Sequence, residues 1–357
     1  MNDVDGDACA DLIVGVLRGG YARYGPGEVL AISGASMGLL WRRRGAEVEP
    51  GWGDAFGICV SSIQDVDLDG VPDLAVGAPR RRNWNGDVDL VSGKSGELIR
   101  TISATQDVVG FGRYPVNWIA RSRTISDGFL LVPQADPPIT SIIDPKSSAV
   151  VGVVPGSYCV IVGDINNDDQ PDFIMADLLF PGEGNHVTIY AYCGASFNKI
   201  FSTILGGDLA RLALESKQLN CIAIPDVDSD GVQDIALCSR ADEAVLISGR
   251  SGSTLMELRP SSALYDCKSA SIVGLSSSES NSAFSILRAR ASDREDEITL
   301  EFASLSQPQL WHSFKECSLQ LVGSKLRVLN QSHIISYAEG GRVIQVVDIG
   351  GKLGIPK

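Results

Sequence analysis

Residues 65–79 read DVDLDGVPDLAVGAP, and residues 3–16 open the chain on the same phrase, DVDGDACADLIVGV. Aspartates at alternate positions, a turn residue, one more aspartate and then a short apolar run form a pattern that packing alone does not explain, because it crowds like charge. Further copies stand at 164, DINNDDQPDFIMA, and at 226, DVDSDGVQDIALC. The four starts, at 3, 65, 164 and 226, are 62, 99 and 62 residues apart, so the middle interval reads as two periods with one degenerate loop inside it.

A second marker supports that period. A polar Gly/Ser turn recurs between apolar runs as AISGASMGLL at 31, LVSGKSGELI at 90, AYCGASFNKI at 191 and LISGRSGSTL at 246. Weaker copies are IIDPKSSAVV at 142, FASLSQPQLW at 302 and VVDIGGKLGI at 346. Seven markers, roughly 45 to 60 residues apart, describe units of about four short strands, the size of a propeller blade. The 38 glycines and 16 prolines among short Val/Ile/Leu runs favour an all-β fold. The expected architecture is therefore a single seven-bladed β-propeller of four-stranded antiparallel blades, with six or eight blades also compatible. The blades fall near 1–44, 54–102, 110–154, 157–204, 218–260, 267–313 and 315–357. The first aspartate phrase begins at residue 3, which leaves blade one without an inner strand and points to a start that is not the natural one. One helical pattern, LARLALESK at 209–217, reads as an excursion between strands.

The loops themselves point to a cation. Carboxylates at positions 1, 3, 5 and 9 of a curling loop aim inward, and the carbonyl of position 7 can join them. The expected ligands are Asp3, Asp5, Asp7, Cys9 and Asp11; Asp65, Asp67, Asp69, Val71 and Asp73; Asp164, Asn166, Asp168, Gln170 and Asp172; and Asp226, Asp228, Asp230, Val232 and Asp234. Cys9, Val71, Gln170 and Val232 enter only through the backbone. Hard oxygen donors in this number suit Ca²⁺, whereas Mg²⁺ demands tighter octahedral geometry. Gly70 supplies a sharp turn, since glycine tolerates positive φ. Sixteen acidic residues stand in the four loops, and four bound Ca²⁺ would carry the formal charge from −14 to −14 + 8 = −6. The third loop, with Asn166 and with Asp169 in place of glycine, is expected to be the weakest. The loops are not EF-hands, because the last acid is Asp at 9 and a strand follows.

Phe56-Gly57, the loop, and Gly77-Ala78-Pro79 together resemble the FG-GAP repeat of the integrin α N-terminal propeller and related bacterial surface proteins. The motif is complete in blade two; Phe111-Gly112 keeps its first half, and blades six and seven carry it by spacing alone. The resemblance implies structural calcium between the first and second strands of a blade, and a partner bound on the opposite face.

With 30 Lys plus Arg against 44 Asp plus Glu, the chain repels nucleic acid and acidic membranes. No run of about 18 apolar residues marks a membrane span. The eight cysteines allow disulfides, but Cys59, Cys159, Cys221, Cys267 and Cys317 sit in similar apolar contexts and read as buried thiols, with Cys221 and Cys238 the pair to check. Gly34-Ala35-Ser36-Met37-Gly38 mimics a nucleophile elbow, yet the same turn recurs as GKSGE and GRSGS without a strand-to-helix junction. Three histidines, none spaced as a metal pair, make a histidine triad improbable. The expectation is a non-enzymatic adhesion or recognition module outside the cytosol, where calcium is plentiful. A propeller enzyme acting on polysaccharide, lyase or glycoside hydrolase, and a structural domain of a larger surface protein are the alternatives. A protein or glycan partner is expected on the face away from the loops, where Arg23, Tyr24, Trp52, Arg81 and Trp84 combine the residue types that dominate interfaces.

Overall fold

The FG and GAP dipeptides turn out to be two halves of one contact. A Cβ on Gly77 would lie 1.8 Å from the carbonyl oxygen of Gly112, and one on Gly15 would lie 2.1 Å from that of Gly57. The glycine that closes one unit is thus glycine because the Phe-Gly turn of the next unit presses its backbone against it. The phenylalanines of those turns, Phe56 and Phe111, are almost wholly buried. Phe56 packs with Val29, Leu74, Val76 and Val91, and Phe111 with Val88, Leu90, Val116 and Leu130.

The computed structural model describes residues 3–17, 25–104, 108–120, 128–178, 186–206, 219–224, 226–239 and 244–258, and seven strands between 270 and 348. All regular structure among these residues is β. The first sheet runs β1 (Leu12–Val16), β2 (Glu28–Ile32), β3 (Leu39–Arg44), and a small hairpin follows, β4 (Glu47–Glu49) and β5 (Trp52–Gly53). Then come four-stranded sheets of β6 (Val60–Ser62), β7 (Leu74–Ala78), β8 (Asp87–Val91), β9 (Leu98–Ser103), and of β10 (Asn117–Ala120), β11 (Gly128–Pro133), β12 (Ile139–Ile143), β13 (Val150–Pro155). The next two are β14 (Tyr158–Ile161), β15 (Phe173–Leu178), β16 (Val187–Tyr192), β17 (Lys199–Leu205), and β18 (Leu219–Ile224), β19 (Asp234–Ser239), β20 (Ala244–Ile247), β21 (Thr254–Leu258). The last are β22 (Ala270–Leu275), β23 (Ser285–Ala291), β24 (Ile298–Ser304), β25 (His312–Glu316), and the three-stranded β26 (Lys325–Asn330), β27 (His333–Tyr337), β28 (Ile344–Asp348). In every sheet spatial order equals chain order, the antiparallel meander expected of a blade. The first sheet has three strands.

Two compact units divide the chain, residues 1–177 with 190–200, and residues 178–189 with 201–357. Within the first, successive sheets stack face to face. Ile119, Leu131, Ile142 and Val154 of one meet Phe173, Met175 and Tyr192 of the next. Middle strands are buried on both faces for this reason: β7 and β8 are covered at all five positions, β7 by apolar residues throughout and β8 with Asp87 and Asp89 paired to Arg82 and Arg81. Within the second unit, β18 neighbours β22 and β22 neighbours β26.

Some expectations are corrected. Arg42, Arg43 and Arg44 belong to strand β3. Cys59 is buried, with its thiol 3.0 Å from the Tyr114 carbonyl, but Cys159 and Cys221 are only partly covered. In the backbone register Cys221 stands opposite Leu237 and Cys238 opposite Asn220, so the two cysteines are not cross-strand partners. Cys267, Cys317 and the helical pattern at 209–217 lie outside the described residues.

Candidate metal centres

The four aspartate loops share one backbone conformation, written in left-handed residues at two positions. Position 4 is Gly6, Leu68, Asn167 and Ser229, and position 6 is Ala8, Gly70, Asp169 and Gly231; all eight have φ between +61° and +91°. Glycine at position 6 was expected. The requirement at position 4 was not, because Leu68 and Ser229 give no sign of it, and Leu68 stands three-quarters exposed in a conformation unfavourable to its side chain.

Backbone amides organise the carboxylates identically in each copy. The N–H of position 5 donates to the position 1 carboxylate at 3.0–3.1 Å. The N–H of position 6 donates to that same carboxylate at 2.7–2.8 Å. Position 7, the expected carbonyl donor Cys9, Val71, Gln170 or Val232, gives its N–H to the position 5 carboxylate at 2.8–2.9 Å.

The ninth-position aspartates have a further task. Asp73, Asp172 and Asp234 are fully buried and Asp11 is 4% exposed. Through Oδ2 each accepts the N–H of position 2, from Val4, Val66, Ile165 or Val227, at 2.6–2.7 Å. Through Oδ1 each accepts the N–H of a glycine in the Gly/Ser turn between the last two strands of its sheet, Gly34, Gly93, Gly194 or Gly249, at 2.8–3.1 Å. The residue before that glycine completes the link: Ser33, Ser92 and Ser248 donate Oγ–H to the position 5 carboxylate at 3.2–3.3 Å. In the third loop Cys193 does the same through Sγ at 3.0 Å. The two sequence markers are therefore one device, an acidic loop clamped to the neighbouring turn of its own sheet. The serine before the turn glycine was the legible signal, present in three of the four strong markers and unused by spacing arguments alone.

Carboxylate oxygens of Asp3, Asp5 and Asp11 lie within 4.8 Å of one another, as do those of Asp65, Asp67 and Asp73, and of Asp226, Asp228 and Asp230. In the third loop the converging atoms come from Asp168, Asp172 and Cys193, so a thiol enters where only oxygen was expected. Burial pushes the Asp73 carboxyl up to about 6, against the opposing pull of its amide donors. Asp172 and Asp234 are raised for the same reason. Asp67 is raised by desolvation and then by repulsion from Asp69 and Asp65. These groups resist carrying charge together, and a cation would reverse that. The all-oxygen loops at 3, 65 and 226 fit Ca²⁺. At 226 the fit is weakened by Arg250, whose Nε stands 3.7 Å from Asp230. At 164 the amide of Asn166 and the thiol of Cys193 make a poorer calcium shell.

At the other end of the first unit, the connection from β7 to β8 carries Arg82, Asn83 and Trp84 in three successive left-handed conformations, with φ of 51°, 62° and 71°. Such strain persists where surroundings over-determine it. Here Arg82 bonds Asp87, the Gly86 carbonyl and the Ala104 carbonyl, and Gly110 N–H caps the Trp84 carbonyl at 2.9 Å. Trp84 is half exposed. The Arg80 guanidinium lies 4.4 Å from the Trp84 ring centre and 5.4 Å from that of Trp52. Arg81 faces inward, paired with buried Asp54 at 2.9 Å and Asp89 at 2.8 Å. Of the expected contact residues the structure thus brings Trp52 and Trp84 together around Arg80, gives Arg81 a structural role, and leaves Arg23 and Tyr24 outside the described residues.

No protein-family model matches the chain. Solved structures do resemble it. The crystal structure of BBS1N in complex with ARL6DN, soaked with lead, aligns at a TM-score of 0.51 and 9% identity, covering 91% of this chain and 86% of that one. The same complex soaked with mercury aligns at 0.54 and 9%, covering 90% and 88%. At that identity the likeness concerns the fold alone, and together with the meandering sheets it makes the chain an all-β protein of β-propeller fold.

Proposed function

We propose that this protein is a recognition module of the FG-GAP kind, a propeller whose aspartate loops bind structural Ca²⁺ and whose opposite end binds a protein partner. The observation that carries the calcium reading is the repetition of one loop geometry, with three acidic oxygens drawn within 4.8 Å in each of the loops at 3, 65 and 226. Identical hydrogen-bonding around a charge cluster is what a common ligand would require of separate copies. Calcium would sit between the position 1, 3 and 5 carboxylates and the buried ninth, adding negative-charge relief to a clamp the backbone already forms. Extracellular modules bind calcium at about 10⁻⁴ to 10⁻³ M, so the reading places the protein at a cell surface or outside the cell.

Support for a protein partner comes from the rigid display of Trp84 beside Arg80 and Trp52, the side chains that supply binding energy at protein interfaces. It comes also from the neighbour of like fold crystallised as a protein complex. The deciding experiment is a thermal melt in chelator and in millimolar CaCl₂. Calcium at about 100 times its dissociation constant should add roughly 2.7 kcal/mol per site. An unchanged melt in Ca²⁺ refutes the metal reading.

A further inference from the structure

The Gly/Ser turn of the sheet β6 to β9 is held from two sides. The N–H of Gly93 donates to Asp73 Oδ1 at 3.1 Å, and the Gly93 carbonyl accepts the Nε1–H of Trp41, from β3 of the preceding sheet, at 2.9 Å. Arg43 of the same strand donates to the Gly96 carbonyl at 3.1 Å. The indole also decides a residue type in the turn, because a Cβ on Gly96 would lie 2.7 Å from Trp41 Cδ2. Backbone conformation is not the reason for that glycine: Met37, Ser148 and Phe197 hold the same turn position in other sheets with φ of 57–61°. Phe201, like Trp41 the third residue of its outer strand, stands against Gly252 in the same way, its Cε2 2.5 Å from where that Cβ would be. Phenylalanine has no N–H to give, so it cannot supply to Gly249, the clamp glycine of Asp234, the bond that Gly93 receives. The loops at 65 and 226 carry Asp at positions 1, 3, 5 and 9 and Val at 7 alike, so what distinguishes their acidic sites lies outside these positions.

We infer that Trp41 is a positioning residue for the metal site at 65, acting from the neighbouring sheet. It fixes Gly93, Gly93 fixes Asp73, and Asp73 is one of the three carboxylates that converge there. The inference rests on the calcium reading of that loop. A turn held in place before the cation arrives spares binding the cost of ordering it. Trp41→Phe would give the loop at 65 the support that the loop at 226 has, with an aromatic ring on the turn and no donor to its glycine. One net hydrogen bond corresponds to about threefold to tenfold in affinity.

Calorimetric titration of the full chain with CaCl₂ tests this on Trp41→Phe, on Asp67→Asn and on the double variant. Trp41→Phe should weaken one site by about threefold to tenfold and speed amide exchange of residues 92–97 in chelator, with an unaltered circular dichroism spectrum. In the double variant, where the loop at 65 no longer binds, the Trp41 change should leave the remaining sites as they are. Unchanged calcium affinity in Trp41→Phe overturns the inference, as does an equal loss with Asp67→Asn present, which would make Trp41 a general packing residue. Failure of the calcium reading itself looks different: the unaltered chain then takes up no Ca²⁺, and both fall together.

Discussion

Substituting the ninth and third aspartates of the second loop separates the clamp from the metal site. Asp73 is fully buried and accepts three N–H groups, from Val66 at 2.6 Å, Gly93 at 3.1 Å and Asp67 at 3.2 Å. Asp73→Asn keeps the shape but has one acceptor oxygen, so its amide NH₂ must face either the Val66 or the Gly93 N–H. A buried donor left unpaired costs about 1–3 kcal/mol, and a lost charge-assisted bond about 1.5–3. Relief of burying a reluctant charge offsets part of this. The net expectation is a loss of about 3 kcal/mol, or roughly 5 °C in melting temperature for a chain of this size, even in chelator. Asp67 is exposed and accepts one N–H, from Asp69 at 3.2 Å, while repelled by its neighbours. Asp67→Asn should therefore change the chelated melt by less than about 0.5 kcal/mol, yet remove the increment that Ca²⁺ adds at this loop. Differential scanning fluorimetry of both variants with and without calcium reads all four quantities. Equal losses in chelator would refute the division of labour between positions 3 and 9.

Because burial raises Asp73 to about 6 from 3.8, the native state holds more protons than the unfolded chain between those values. Calcium-free stability should fall as pH rises from about 4 to 6, and added calcium should stabilise more at pH 7 than at pH 5, measured by melting across pH. Gly77→Ala should cost more than about 3 kcal/mol, because its Cβ would meet the Gly112 carbonyl; chemical denaturation checks this. Arg81→Met leaves Asp54 and Asp89 buried without their cation, with an expected loss of about 3–5 kcal/mol by the same measurement. Trp84→Ala should leave the melt within about 1 kcal/mol while abolishing capture of a partner that the unaltered protein retains.

The meander and its period were legible because turn glycines and loop aspartates must occupy fixed places, and strands between them need only be apolar. The position 7 residues show the limit: Cys9, Val71, Gln170 and Val232 act through backbone groups, so their side chains vary freely. The left-handed Leu68 is hidden for a different reason, since hydrogen bonds around it enforce its φ without any help from its type. Cys193 was legible as a cysteine, but its role depends on knowing that the turn after the third strand folds over the loop between the first two. Arg81 and its neighbour Arg80 look alike in RRRNWNG; one faces buried aspartates and the other two indoles, a difference that residue type does not encode.

The clamps also bear on the order in which the chain assembles. Each joins an aspartate to a glycine only 15 to 23 residues further on, a short loop to close. A nascent chain could lock one sheet as soon as its second hairpin emerges, before the neighbour that will cover it exists. Contacts of this kind keep sequence separation low, which favours rapid folding. The sheet β10 to β13, whose sequence carries no aspartate phrase, shows no such fastening among its described residues, and its formation should await an adjoining sheet already in place.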